Sequence, residues 1–225
     1  MATPSADGPA LEHRLYAWLL IALIGSVAIQ GGVPAGAVQR IVVNILLGAS
    51  LLLAFRVAQA SRAMFVVAGL LAAVGVAVAV LRATGEAIGE AEVRLMSGLL
   101  VVLGPPAVAT GVMRTLRRSG QVQVEAVMGV LAMYMLLGLL FAAIYGAIDR
   151  LGGDPFFASA APATTSNCLY FSFTTLTTVG YGDFTARSAT GHTIALFEAL
   201  IGQIYLVTVV SVIVGNLKRR TPPDG

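Results

Sequence analysis

Thr177-Thr178-Val179-Gly180-Tyr181-Gly182-Asp183 is the stretch whose reading decides the fold. It stands between a short apolar run, Ser166–Thr177, and a long one, Gly191–Asn216. An ordinary strand sends successive side chains, and successive carbonyls, to opposite sides. Aiming successive carbonyls the same way requires backbone that alternates between right- and left-handed settings. Glycine takes the left-handed setting without a Cβ penalty. Gly180 and Gly182, spaced by two, are placed to supply it. The run is therefore expected to present a column of backbone oxygens, with the Thr178 hydroxyl as a further layer below. Val179 and Tyr181 then point backward, against the short helix that precedes the run.

Outward from this stretch the chain is apolar. Its 225 residues are 57% hydrophobic and 11% charged, a composition of polytopic membrane proteins rather than of soluble domains. Stretches long enough to cross a bilayer occur at Leu15–Gly31, Val38–Phe55, Ala63–Leu81, Val93–Met113, Val124–Ile148 and Gly191–Asn216. The run Ser166–Thr177 is too short to cross, so it reads as a re-entrant helix that enters and turns back. The fold class expected is an all-α membrane protein: six transmembrane helices plus a re-entrant helix and loop.

The basic residues cluster at the ends of the apolar runs, which orients a membrane protein and argues against a nucleic-acid partner. With the N-terminus cytoplasmic, the inner segments hold Arg14, Arg56, Arg62, Arg114, Arg117, Arg118, Lys218, Arg219 and Arg220. The outer segments hold Arg40, Arg82, Arg94, Arg150 and Arg187. Nine against five favours cytoplasmic N- and C-termini and puts the re-entrant segment outside. The expected organisation is a tail over 1–14, a four-helix peripheral domain over 15–113, a basic cytoplasmic linker over 114–123, a second membrane domain over 124–216 and a short tail over 217–225. Residues 2–10 and 221–225 read as disordered, and no cytoplasmic ligand-binding module is expected after Asn216. Arg14, the run from Leu15 and the small-x-small Ser26-Val27-Ala28 also fit a secretory leader. Asp7, Glu12 and the continuation of the run favour a retained anchor.

A bare cation inside a membrane needs oxygens to replace its hydration shell, and rings of backbone carbonyls supply them without stranding a fixed charge. The short helix would start at the good capping cluster Thr164-Thr165-Ser166-Asn167. Its C-terminal end would point its negative dipole at the cation. Tyr170, Phe171 and Phe173 lie about two turns before the run, where they are expected to clamp Tyr181. In these features the stretch Val124–Asn216 resembles the pore domain of the potassium channel family: outer helix, pore helix, TTVGYGD filter and inner helix, in order. The resemblance covers a little under half of the chain. It implies a homotetramer around one axis, K⁺ coordinated by the carbonyls of Thr178, Val179, Gly180 and Tyr181, and Asp183 beside the outer mouth. Thr177, Gly182, Tyr170, Phe171 and Thr174 would support the filter. Many relatives carry pore-helix tryptophans where this chain has Tyr170 and Phe171, and some carry a glutamate where it has Thr174, so filter inactivation is not carried over.

Gly202, twenty residues beyond Gly182, stands where similar channels have a hinge glycine; a packing glycine is the equal alternative. Gln203, Leu206, Val210 and Val214 share a helix face. Gln203 is expected to face the cavity and Val210 and Val214 to form a hydrophobic gate. Glu198 lies within the last span and His192 near its outer end. Each has two readings, a satisfied structural group or a pH-sensitive one. Cys168 reads as an apolar filler. The fourth span has no arginine between Arg94 and Arg114, and Gly104-Pro105-Pro106 is expected to interrupt it, so a strong voltage sensor is not expected. Arg114, Arg117 and Arg118 could meet anionic lipid headgroups, although simple orientation by charge explains them. Gly69, Ala73, Gly75 and Ala79 suit tight packing of the third span.

The expected function is passive K⁺ passage across the plasma membrane, with K⁺ and lipids as partners and no cofactor. Its rivals are a nonselective cation channel, an uptake transporter and a nonconducting scaffold or sensor. Nonselective filters usually lose the residue at Tyr181, and uptake transporters carry four filter repeats where one is present here. No nucleophile–base pair, metal-ligand cluster or phosphate loop is visible, which leaves no basis for an enzyme.

Overall fold

A computed structural model describes residues 8–33, 36–84, 98–110 and 124–218 of the chain. They form seven helices: α1 Gly8–Gly32, α2 Ala37–Val57, α3 Arg62–Ala83, α4 Gly98–Thr110, α5 Val124–Leu151, α6 Thr165–Leu176 and α7 Ala189–Lys218. Of these, α1, α2, α3, α5 and α7 hold the five segments among the described residues that are long and apolar enough to cross a membrane. The expected fourth span is represented by α4, with the rest of Val93–Met113 outside the described residues. Large apolar side chains such as Trp18, Ile21, Val66, Val67, Leu70 and Ile204 are exposed along these helices. In water such a surface would aggregate; in lipid it is the solvated face.

Three expectations need correction. The helix α4 runs through Gly104-Pro105-Pro106 without a break. Prolines are tolerated in membrane helices where neighbouring groups satisfy the carbonyls they leave free. The helix α1 already begins at Gly8, within the stretch expected to be disordered, while its apolar span starts at Arg14, next to the expected Leu15. Pro9 sits in its first turn, where a missing N–H costs nothing. At the other end α7 extends through Leu217 and Lys218. The linker 114–123 lies outside the described residues.

The chain forms two compact units. The first holds α1 through Ser26, α2, α3, α4 and the start of α5. In it α2 buries Val43, Leu47, Leu51 and Ala54, a three-four spacing that lines one helix face. On α3 the buried residues are Ala68, Ala72, Gly75 and Ala79. Gly75 and Ala79 lie where expected, but Ala68 and Ala72 replace Gly69 and Ala73, because the 68-72-75-79 spacing keeps to one stripe. Gly48 approaches α3 so closely that a Cβ there would lie 2.9 Å from the Ala72 methyl. The turn between α2 and α3 is fixed by Ser61, whose hydroxyl accepts from Met64 N at 3.3 Å. The Arg56 guanidinium over the Phe65 ring, 5.3 Å from its centroid, adds a cation–π contact.

The second unit holds the end of α1, α5 from Leu136, α6 and α7. Its interior is aromatic. Tyr145, Phe156, Phe157 and Phe171 are all buried and meet one another at ring-centroid distances of 4.9 to 5.8 Å. The loop between α5 and α6 is held by Asp149, which accepts from Phe156 N at 2.9 Å. It is also held by an antiparallel bridge from Phe157 to Ala186, beyond the Gly180 turn. Arg187 completes this lock, its backbone N–H donating to the Phe156 carbonyl at 2.8 Å and its Nε to the Phe157 carbonyl at 3.3 Å.

Candidate functional site

The site is built on the C-terminal end of α6. The helix starts where the capping cluster predicts: Thr164 Oγ1 accepts from Asn167 N at 3.1 Å, and Asn167 Nδ2 donates back to the Pro162 carbonyl at 2.8 Å. It ends at Leu176, and the chain folds back onto its last turn. Thr178 N donates to the Thr175 carbonyl at 2.9 Å, while Val179 N and Gly180 N share the Thr174 carbonyl at 2.8 and 3.1 Å. Thr174 thus acts on the run through its backbone oxygen, as well as occupying the position noted in sequence.

The backbone of the run then alternates in hand. Thr178, Gly180 and Gly182 have φ of +59°, +50° and +82°, and neither Val179 nor Tyr181 has a positive φ. Successive carbonyls in such a chain turn toward one side, which an ordinary strand cannot do. A Cβ added at Gly180 or Gly182 would meet nothing within 4 Å, so the glycines serve conformation and not space. Thr178 was not expected to be left-handed. A β-branched residue there is a strained outlier, of the kind that clusters at functional sites at about 1–3 kcal/mol each. The signal was available, since Thr178 stands two residues before Gly180 as Gly180 stands two before Gly182. Thr178 is held by its backbone bond to Thr175 and by Gln203 of α7, whose Nε2 donates to Thr178 Oγ1 at 2.9 Å.

Of the three aromatics expected to clamp Tyr181, the structure brings one to it. The Tyr170 ring stacks on that of Tyr181, centroids 6.4 Å apart and planes within 9°. Phe171 turns into the aromatic interior, and Phe173 lies against Gly138 of α5, because α6 must bury its opposite face. Phe184, not singled out in sequence, packs edge-on against both Tyr170 and Phe157 and joins the run to that interior. Val179 and Tyr181 stay 50% and 72% exposed, so the wall behind the run is largely uncovered.

The inner helix α7 meets α6 at Gly202, where a Cβ would collide with the Leu176 carbonyl oxygen and lie 3.0 Å from its Cδ1. This close approach makes Gly202 a packing contact between α7 and α6. Leu206 is exposed, and the side chains of Val210 and Val214 lie outside the described residues. Glu198 is fully buried: Tyr145 Oη is 2.5 Å from its Oε2, and Ser172 Oγ is 2.5 Å from its Oε1. His192 is exposed in the first turn of α7 and makes no contact with this cluster, its backbone N–H donating to Ser188 O at 3.0 Å. Cys168 is buried and is not part of a disulfide.

Comparison with known proteins agrees on the class of this region. Residues 130–219 match the family model described as ion channel. No curated protein and no solved structure matches the chain. The matched region is thus similar to an ion channel domain rather than to an enzyme, and with the apolar helices it makes the chain an integral membrane protein.

Proposed function

We propose that the chain is one subunit of a homotetrameric, K⁺-selective channel of the plasma membrane, conducting passively through a central pore. The carbonyls of Thr178, Val179, Gly180 and Tyr181 coordinate the ion, and no cofactor takes part. The observation that carries this reading is the alternation of hand at residues 178 to 182, a backbone that would bring its carbonyls to one side. Rings of such carbonyls replace a hydration shell without a buried fixed charge. Four copies are needed to close a ring, and the bare faces of Val179, Tyr181 and most of α7 are what neighbouring copies and lipid would cover. The C-terminal end of α6 adds its negative dipole end to each copy's contribution. Both termini are cytoplasmic, residues 15–113 form a peripheral helical domain, and the inner end of α7, with Val210 and Val214, forms the gate.

The test is reconstitution of the full chain into planar bilayers with K⁺ on one side and Na⁺ on the other. The reversal potential is expected to follow the K⁺ gradient and to ignore Na⁺. A reversal potential near zero would make the pore a nonselective cation channel, and a tetramer without current would make it a scaffold. The outer filter offers a second measurement. Tyr170→Leu removes the stack on Tyr181, worth about 0.5–1.5 kcal/mol per subunit. Its currents are expected to decay several-fold faster during sustained opening, with folding unchanged, and raised external K⁺ is expected to slow that decay.

A further inference from the structure

The two oxygens of Glu198 face different helices, and the hydroxyl on one of them has a second partner. Ser172 Oγ is 2.5 Å from Glu198 Oε1 and 2.7 Å from the carbonyl oxygen of Gly138 on α5. Both separations are hydrogen-bond lengths, and a serine hydroxyl has one hydrogen. The Gly138 carbonyl only accepts, so the contact to it uses the serine hydrogen. The contact to Glu198 then needs a hydrogen of its own, and the carboxyl group is the one partner that can bring it. An ionised Glu198 would leave bare oxygen facing bare oxygen in one of the two contacts.

Among the described residues nothing around the group compensates a charge. Tyr145 of α5 and Ser172 of α6 are the polar partners of Glu198, and Cys168 of α6 is the further titratable group beside Tyr145. Among the described residues no Lys, Arg or His is paired with it. A buried, unpaired carboxylate is strongly disfavoured. The neutral acid satisfies every atom in sequence: Tyr145 O–H donates to Oε2, Oε1–H donates to Ser172 Oγ, and Ser172 O–H donates to the Gly138 carbonyl.

We propose that Glu198 works as a neutral carboxylic acid that positions the pore helix, tying α7 to α6 and α5 behind the filter, and that loss of its proton loosens the filter. The protonation follows from the hydrogen count alone, whereas the effect on conduction rests on the channel reading. Glu198 is a positioning residue and touches no ion. Its leverage comes from place: Ser172 lies two residues before Thr174, whose carbonyl holds Val179 N and Gly180 N.

Infrared difference spectra of the full-length protein in lipid, wild type minus Glu198→Gln, are expected to show the carbonyl stretch of a protonated carboxylic acid at neutral pH. The band should vanish at alkaline pH. Ser172→Ala, which removes the acid's acceptor, is expected to move the band to higher frequency, and this variant reads the same group if Glu198→Gln does not fold. In bilayers the wild-type K⁺ current is expected to fall reversibly over the pH range in which the band disappears. Glu198→Gln, whose amide donates to Ser172 and accepts from Tyr145 as the acid does, keeps its current there. Glu198→Ala loses about tenfold or more at every pH. A carboxylate signature at neutral pH, with no acid band, overturns the proposal whatever the currents do. An alkaline fall of equal size in Glu198→Gln overturns the positioning role. An acid band in a protein that passes no current upholds the protonation and counts against the channel reading itself.

Discussion

Gly180→Ala is expected to abolish selective K⁺ conduction while leaving the helices and their assembly intact. The position has φ +50° and empty space where a methyl group would stand, so the substitution acts through backbone strain and not through collision. An L-residue held left-handed costs roughly 1–2 kcal/mol, and in the proposed tetramer four subunits carry it at the same level of the pore, for about 4–8 kcal/mol per ring by that figure. That exceeds by far the 1.4 kcal/mol or so that shifts an equilibrium tenfold. The strain is relieved by turning the 179–180 peptide, which would carry the Val179 oxygen out of the proposed column. Currents should vanish, or persist with a reversal potential near zero under opposed K⁺ and Na⁺. The thermal transition and oligomer size should match those of the wild type. A fully selective alanine variant would show that left-handed backbone at this residue is dispensable, and the reading of the whole run would fall with it.

Gly202→Ala is expected to fail for the opposite reason. Here the residue is helical and the obstacle is the Leu176 carbonyl oxygen, which a methyl group would overlap. Overpacking of this kind costs about 1–3 kcal/mol per site, and relief requires α7 to move away from the end of α6 that carries the filter. The variant should melt several degrees lower and lose current in parallel. Pairing it with Leu176→Ala should not rescue it, because the overlap is with backbone and the leucine side chain is secondary. A hinge glycine would behave differently: the alanine variant would keep its thermal stability and change only its open probability. Measuring both quantities on one preparation separates the two roles.

Much of the second unit was legible because its rules are local. Capping residues at 164 to 167 fix the start of α6, and glycines two apart fix the hand of the run that follows it. Both depend on a few neighbouring residues and on backbone sterics. What could not be read was direction across helices. Tyr170, Phe171 and Phe173 looked equivalent in sequence, yet one meets Tyr181, one enters the aromatic interior and one lies on Gly138. Their fates depend on which face of α6 meets α5, and apolar residues on every face give no pattern to decide it. Phe184, Ser172 and Tyr145 were missed for the same reason, since each matters through a partner distant in sequence.

By itself the sequence determined that this chain lives in a membrane and that residues 177 to 183 follow a short helix with glycines placed for left-handed backbone, because hydropathy and glycine stereochemistry act within a few residues. Only the tertiary structure decided that Thr178 joins Gly180 and Gly182 in the left-handed setting, that Gly202 is a point of contact, and that Glu198 is met by two hydroxyls. Each of these depends on the distance between atoms on different helices. That distance is set by how small residues let backbones approach, which no single segment specifies.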